Sequence, residues 1–295
     1  MRRLRATAAA MILLAATVGL AACSPDDTDA PPAVTVSGPA GAAPTITYVP
    51  PLQVDKTYRQ QIWAGTGPEL AEGKPVLIDF WLENGTDASL VKESYSSTPT
   101  PHYLTQEDLG KDLYGTLHGQ RVGARMLQVS PAGTSGANGY PTVTVLDVLP
   151  TRASGEAVPH AAGMPKVTLD DDGSPSITPT GKPAPTDLEA HPLIHGTGPQ
   201  VAEGDVITVQ YTGFDWKNGT KFDSSWDALP VSFALQDVPA WNDALVDQPV
   251  GSQVLIVVPP TYALGATATK ELKGETVVFV VDILATGSPS SGSGS

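Results

Sequence analysis

The feature that most constrains this chain is a long internal repeat. Gly65-Thr66-Gly67-Pro68-Glu69-Leu70-Ala71-Glu72-Gly73 returns as Gly196-Thr197-Gly198-Pro199-Gln200-Val201-Ala202-Glu203-Gly204. Further matches follow in the same order: Asn84-Gly85-Thr86 with Asn218-Gly219-Thr220, Val122-Gly123 with Val250-Gly251, and Leu146-Asp147-Val148-Leu149 with Val281-Asp282-Ile283-Leu284. Solenoid repeats recur every ~20–50 residues and need about three copies to bury a core. Two long copies therefore mean tandem domains of one fold, which 295 residues can accommodate.

Local patterning sets the class of each copy. Ile207, Val209 and Tyr211 alternate with Val206, Thr208 and Gln210, and Val277, Phe279, Val281 and Ile283 share one face of a later run. This is the period-two signature of strands with a buried side. Asn84-Gly85 and Asn218-Gly219 supply turn residues that tolerate positive φ. Pro239 suits the first turn of a helix, on which Trp241 and Leu245 lie four apart; Leu113 and Leu117 do the same in the first copy. With 29 Gly and 28 Pro, strands and turns are favoured over a helical bundle. The fold class expected is α+β, two tandem domains that are each a β-sheet with one short helix packed on it.

The ends carry different information. Arg2, Arg3 and Arg5 precede an apolar stretch, Ala6–Ala22, too short for a membrane span of ~20 residues, so residues 1–22 read as a secretion signal. Cys23 is the one cysteine, which excludes an intramolecular disulfide. Leu20-Ala21-Ala22-Cys23 resembles the bacterial lipobox, implying a lipidated Cys23 and a protein anchored to a bacterial membrane outside the cytoplasm. Losing the three arginines of the leader takes the formal charge from −14 to −17, and no Lys/Arg-rich block exists to grip a phosphate backbone. Nucleic acid is therefore not an expected partner.

The Pro-rich, polar stretch 23–42 reads as a flexible tether, 43–150 as the first domain, 151–163 as a linker, 164–286 as the second domain and 287–295 as a disordered tail. His191 and His195 flank Pro192 and read as solvated linker residues rather than a helical metal pair; Asp170-Asp171-Asp172-Gly173 reads as a solvated turn. No metal or cofactor is expected.

Four segments of the second copy fall in a distinctive order: Tyr211-Thr212-Gly213, Phe222-Asp223-Ser224-Ser225, Val238-Pro239-Ala240-Trp241 and Val258-Pro259-Pro260-Thr261-Tyr262-Ala263-Leu264-Gly265. Together they resemble the FKBP-type peptidyl-prolyl cis-trans isomerases over about Met164 to Thr286. The resemblance implies a twisted antiparallel sheet wrapped around a short helix. It also implies an aromatic hollow for a substrate proline, with Trp241 as floor and Tyr211, Phe222 and Phe279 as walls. Asp223 would stand at the rim beside Tyr211, and Val238 would offer its backbone N–H to a substrate carbonyl. Val231, Tyr262 and Leu264 would complete the substrate-binding surface.

The implied partners are proline-containing unfolded or secreted polypeptides, and the implied function is to assist their folding at the cell envelope. Leu264 stands where the family often has a second tyrosine, Asp237 where it has an apolar residue, and the overhanging stretch Ala266 to Glu275 is short. These departures imply weak binding of the macrolides that occupy this hollow in the family. They also favour an alternative, a lipid-anchored peptide-binding scaffold without useful catalysis. The first copy has Phe80 opposite Tyr211, but Leu113 for Trp241 and Thr144 for Phe279, and no Phe-Asp pair, so no isomerase activity is expected there.

Overall fold

The computed structural model describes residues 32–133, 139–264, 272 and 274–289. Cys23, the leader 1–22 and most of the stretch from Ala266 to Glu275 lie outside the described residues.

The first domain opens with a hairpin, β1 (Thr35–Ser37) and β2 (Thr45–Thr47). Then come β3 (Tyr58–Trp63), β4 (Pro75–Asn84), β5 (Leu90–Glu93), β6 (Thr100–Tyr103), helix α1 (Gln106–Leu117), β7 (Arg125–Ser130) and β8 (Thr142–Leu149). A short strand, β9 (Glu156–Ala157), lies in the connection. The second domain has its own hairpin, β10 (Lys166–Leu169) and β11 (Pro175–Thr178), then β12 (Glu189–His195), β13 (Val206–Asp215), β14 (Lys221–Ser224) and β15 (Val231–Ala234). Helix α2 (Pro239–Leu245), β16 (Gln253–Val258) and β17 (Val277–Gly287) complete it.

The first sheet runs β3-β7-β8-β4-β5 with β6 on β4, and the second runs β9-β12-β16-β17-β13-β14 with β15 on β13. Apart from β9 the two orders coincide strand for strand, and the pairings are antiparallel. The chain thus contains two domains, each a twisted antiparallel sheet wrapped around a short helix.

Pro239 opens α2, where its missing N–H leaves no helical bond unmade, and Trp241 and Leu245 are buried beneath it. Helix α1 spans more residues because two helical segments meet in it, and Thr105 caps the first, its hydroxyl oxygen accepting the Asp108 N–H at 3.2 Å. Gly110, at φ 69°, breaks its regularity. Gly219 takes the positive φ of its turn, at 73°, but in the first domain Ala88 does so rather than Gly85.

Both sheets are buried on both faces. In the second, Ile207, Val209, Val254, Ile256, Val281 and Ile283 pack on α2. On the back, Phe214, Trp216, Leu255, Val257, Val278 and Val280 are covered by Met164, Val167, Ile177 and Leu193. The first sheet repeats this arrangement: Leu127, Val129, Val143 and Val145 lie under Val34, Val36 and Ile46 of the first hairpin.

The first strand of that hairpin lies within the stretch 23–42 expected to be tether. Three apolar residues suffice to seat it, and the buried Arg125 guanidinium donates to the carbonyls of Ala42 (2.8 Å) and Pro39 (3.3 Å). His191 and His195 belong to β12, not to a solvated linker: His191 pairs with Leu255 across the sheet, and its Nε2 lies 2.8 Å from Glu189. Alternation through Glu189–His195 is interrupted by Pro192 and a register shift, which hides the strand in the sequence. The Asp170–Gly173 turn closes the hairpin β10–β11, with the Asp170 N–H donating to Ser174.

Candidate functional site

The site begins with two adjacent strands. On β13, Tyr211 points to the helix side, and Gly213 faces Asp223 of β14 at a register shift. A Cβ on Gly213 would lie 2.5 Å from the Phe222 ring, so only glycine lets that ring lie across the strand. Ser225 locks the pair: its hydroxyl accepts the Tyr211 N–H at 2.9 Å while its own N–H donates to Tyr211 O at 3.0 Å. Thus fixed, the Tyr211 hydroxyl donates to Asp223 Oδ2 at 2.6 Å. Burial first, then the Asp223 carboxylate, push that hydroxyl well above its usual range, so it remains a donor.

Trp241, in the first turn of α2, meets three rings at its edges. Its centroid is 5.1 Å from Tyr211, 5.3 Å from Phe233 and 5.5 Å from Phe279, with interplanar angles of 72°, 82° and 83°. Phe222 adds an edge-on contact to Phe279 at 5.7 Å. Such perpendicular pairs set the positive edge of one ring against the negative face of another. The fold therefore brings Tyr211, Phe222, Asp223, Trp241 and Phe279 together, with Val231, Tyr262 and Leu264 packed at the margin. Tyr262 donates its hydroxyl to Asp243 of α2, a bond that raises the phenol and lowers the carboxyl.

Three features differ from the sequence reading. Trp241 and Phe279 are 0% exposed and Tyr211 is 8% exposed, so the floor is covered; Phe222, Asp223, Val231, Phe233, Tyr262 and Leu264 are what meets solvent. Leu272, from the overhanging stretch, is buried in the same cluster. Second, the Val238 N–H donates to Leu235 O at 3.2 Å, capping a 3-10 turn (Leu235–Asp237), while Val238 O accepts from Trp241 and Asn242. Third, Phe233, two residues beyond Val231, adds a ring against Tyr211 and Trp241 that the sequence reading did not name. The signal was present, since Val231 and Phe233 are two apart on β15 and share a face.

The indole Nε1 of Trp241 is buried without a hydrogen-bond acceptor among the described residues. A buried donor left unpaired is costly, and a site that expects a ligand carbonyl is one place to find it. In the first domain the corresponding surface has no such cage among the described residues. Phe80 and Leu113 pack on the α1 core, and the Lys92 ammonium lies 5.8 Å from the Phe80 ring centroid.

Comparison with known proteins places this site in context. The profile of the FKBP-type peptidyl-prolyl cis-trans isomerase family matches residues 198–284. The probable FK506-binding protein of Corynebacterium glutamicum is 36% identical over 105 residues, which cover 35% of this chain and 89% of that protein. The FK506-binding protein of Streptomyces anulatus is 32% identical over 114 residues, 36% of this chain and 91% of that protein. The crystal structure of FkpA from Escherichia coli aligns with a TM-score of 0.32 and 28% identity, covering 37% of this chain and 53% of that one.

Proposed function

This chain belongs to the FKBP-type peptidyl-prolyl cis-trans isomerase family, and on that basis we propose that its second domain catalyses cis-trans isomerisation of Xaa-Pro bonds in unfolded polypeptides. The reaction asks for little chemistry. Rotation about the bond has a barrier of ~18–20 kcal/mol because the planar amide must lose its resonance. The twisted amide is less dipolar than the planar one, so an apolar surface favours it over the ground state.

The observation that carries this reading is the ring cluster around Trp241, with the Tyr211–Asp223 pair at its solvent-facing margin. In the proposed roles, Phe222, Tyr211, Phe279 and Trp241 receive the proline ring. Asp223 holds Tyr211 in place, and the Val238 N–H exchanges its 3.2 Å bond to Leu235 for a substrate carbonyl. Val231, Phe233, Tyr262 and Leu264 line the approach.

The deciding experiment measures the cis-to-trans rate of an Ala-Pro tetrapeptide with the whole chain and with Phe222→Ala. Acceleration by the wild type that falls at least tenfold in the variant supports the isomerase. No acceleration by the folded wild type rejects it.

A second reading rests on the 0% exposure of Trp241 and Phe279. Entry of a proline then requires Phe222 or Phe233, whose rings pack on Phe279 and Trp241, to move aside, which suits a site that binds peptide without turning it over. Binding by tryptophan fluorescence, without rate acceleration, selects this alternative.

The proposed setting is the cell envelope, from the basic-then-apolar leader and Cys23. Membrane association that is lost in Cys23→Ser, with loss of a lipid mass on the N-terminal peptide, tests the anchor. Wild-type protein found unlipidated and soluble rejects it.

A further inference from the structure

The two domains belong to one compact unit, Pro32–Ser295, and between them lies a cleft of about 720 Å³. This falls within the ~300–1,000 Å³ common for ligand sites. Its walls join Leu70 and Val122 of the first domain to Gln210 and Trp226 of the second, and five charged residues, Lys74 and Arg152 among them, also line it.

Gln210 is the informative residue. It is 2% exposed, yet it lines the cleft. Its amide oxygen accepts the Ser225 hydroxyl, while its amide nitrogen has no hydrogen-bond partner among the described residues. Beside it, the Trp226 indole Nε1 is buried and likewise unpartnered among the described residues. An unpartnered amide donor at the wall of a cleft with apolar and charged sides calls for a ligand that supplies a carbonyl acceptor and varied side chains together. An extended polypeptide does so, presenting a backbone carbonyl about every 3.3 Å and side chains on alternate sides.

Gln210 also directly precedes Tyr211 on β13, and consecutive strand residues point to opposite faces. The cleft and the aromatic cluster are therefore back to back across one strand. Ser225 bonds to both residues.

We propose that the cleft between the domains is a second polypeptide site, holding an extended segment of an unfolded client, with apolar and charged side chains, whose prolyl bond is presented to the second domain. Only the client's identity as an isomerase substrate rests on the function proposed above. The cleft itself is argued from its own donors and walls. The first domain, without a cage of its own, supplies one wall of this site.

The test fills the cleft from its exposed side with Ala71→Trp or, separately, Thr66→Trp, in the whole chain. Two quantities are read: affinity for reduced, carboxymethylated α-lactalbumin, a permanently unfolded chain, and the isomerisation rate of an Ala-Pro tetrapeptide. Filling lowers client affinity at least tenfold, leaves the tetrapeptide rate within twofold and leaves the circular-dichroism melt unchanged. Client affinity unchanged in both variants overturns the proposal. So does an equal fall in both quantities, because a four-residue substrate on the far side of β13 does not reach the cleft. If the wild type fails to accelerate the tetrapeptide but filling still weakens client binding, the isomerase reading fails and the cleft stands.

Discussion

Asp147 and Asp282 occupy the same position in the two sheets, and each ties its domain to the segment that precedes it. Asp147 does so through Arg125, whose guanidinium pairs with the carboxylate and reaches the Ala42 carbonyl of the first hairpin. Asp282 does so directly, one oxygen accepting the Ala153 N–H of the connection and the other the Gln253 amide, both at 2.7 Å. Gln253 thus stands where the first domain has Arg125, and a neutral partner replaces a cation.

Burial, with no guanidinium bonded to the carboxylate, makes Asp282 pH-sensitive. Burial pushes its carboxyl up to about 6, against opposing contributions from the Ala153 N–H, Gln253 and Arg152. Between its ordinary value near ~4 and about 6 the native state holds more protons than the unfolded one, so this group's contribution to stability falls as pH rises through that window and is flat above it. Asp282→Asn removes that slope, so its stability stays level between pH 4 and 6 while that of the wild type falls by on the order of 2–3 kcal/mol. Urea melts of both proteins from pH 4 to 8 check this. Parallel curves for the two would refute it.

Arg125 and Asp147 form a pair whose side chains are 0% and 7% exposed. Removing one partner strands a buried charge, so Arg125→Met destabilises the first domain by about 3–5 kcal/mol. Arg125→Gln, which imitates Gln253, costs less because an amide can still donate to Asp147. Denaturation midpoints of the two variants, with proteolysis of the segment 32–47, provide the readout. Equal losses would mean the amide gives no relief.

Tyr211→Phe keeps the ring cluster and deletes only the bond to Asp223. Its expected effect is a three- to tenfold fall in kcat/KM for an Ala-Pro tetrapeptide, with little change in melting temperature. Trp241→Leu, which installs the residue type of Leu113, empties a large buried volume, abolishes activity and costs about 3–5 kcal/mol. Full activity in Trp241→Leu would remove the aromatic cluster from the reaction.

Gly287 closes β17, where a Cβ would lie 1.7 Å from the Ser97 carbonyl oxygen of the first domain. Gly287→Ala therefore forces the domains apart locally without disturbing either core. Hydrogen exchange rises around Ser94–Ser97, and the radius of gyration from solution scattering increases. An unchanged exchange pattern would show that this contact is absent in solution.

Much of this architecture could be read from the residues, because the repeat and the alternation on β13 and β17 encode long-range register directly. Much of the ring cluster was legible as residue types in order, since Tyr211 and Phe222 each sit in a separated motif and Phe279 lies on the buried face of a later strand. Phe233 escaped because a motif comparison assigns positions one at a time, whereas a strand presents every second residue. The covered state of Trp241 could not be foreseen, since it depends on how Phe233 and Leu272 pack and not on the indole's own neighbours in sequence. The hairpins escaped for another reason: strands as short as β1 and β2 show too few alternations to register as periodic.

The hairpin that precedes each sheet covers its back, so what was duplicated in this chain is larger than a helix and the strands that wrap it. The heritable unit is a cassette that carries its own lid at its N-terminal edge. A fragment of the second half begun at Leu188, after that lid, would turn Phe214, Trp216, Leu255, Val257, Val278 and Val280 toward water. One begun before Met164 keeps them dry, which sets where the chain can be cut and still yield a protein that stays in solution.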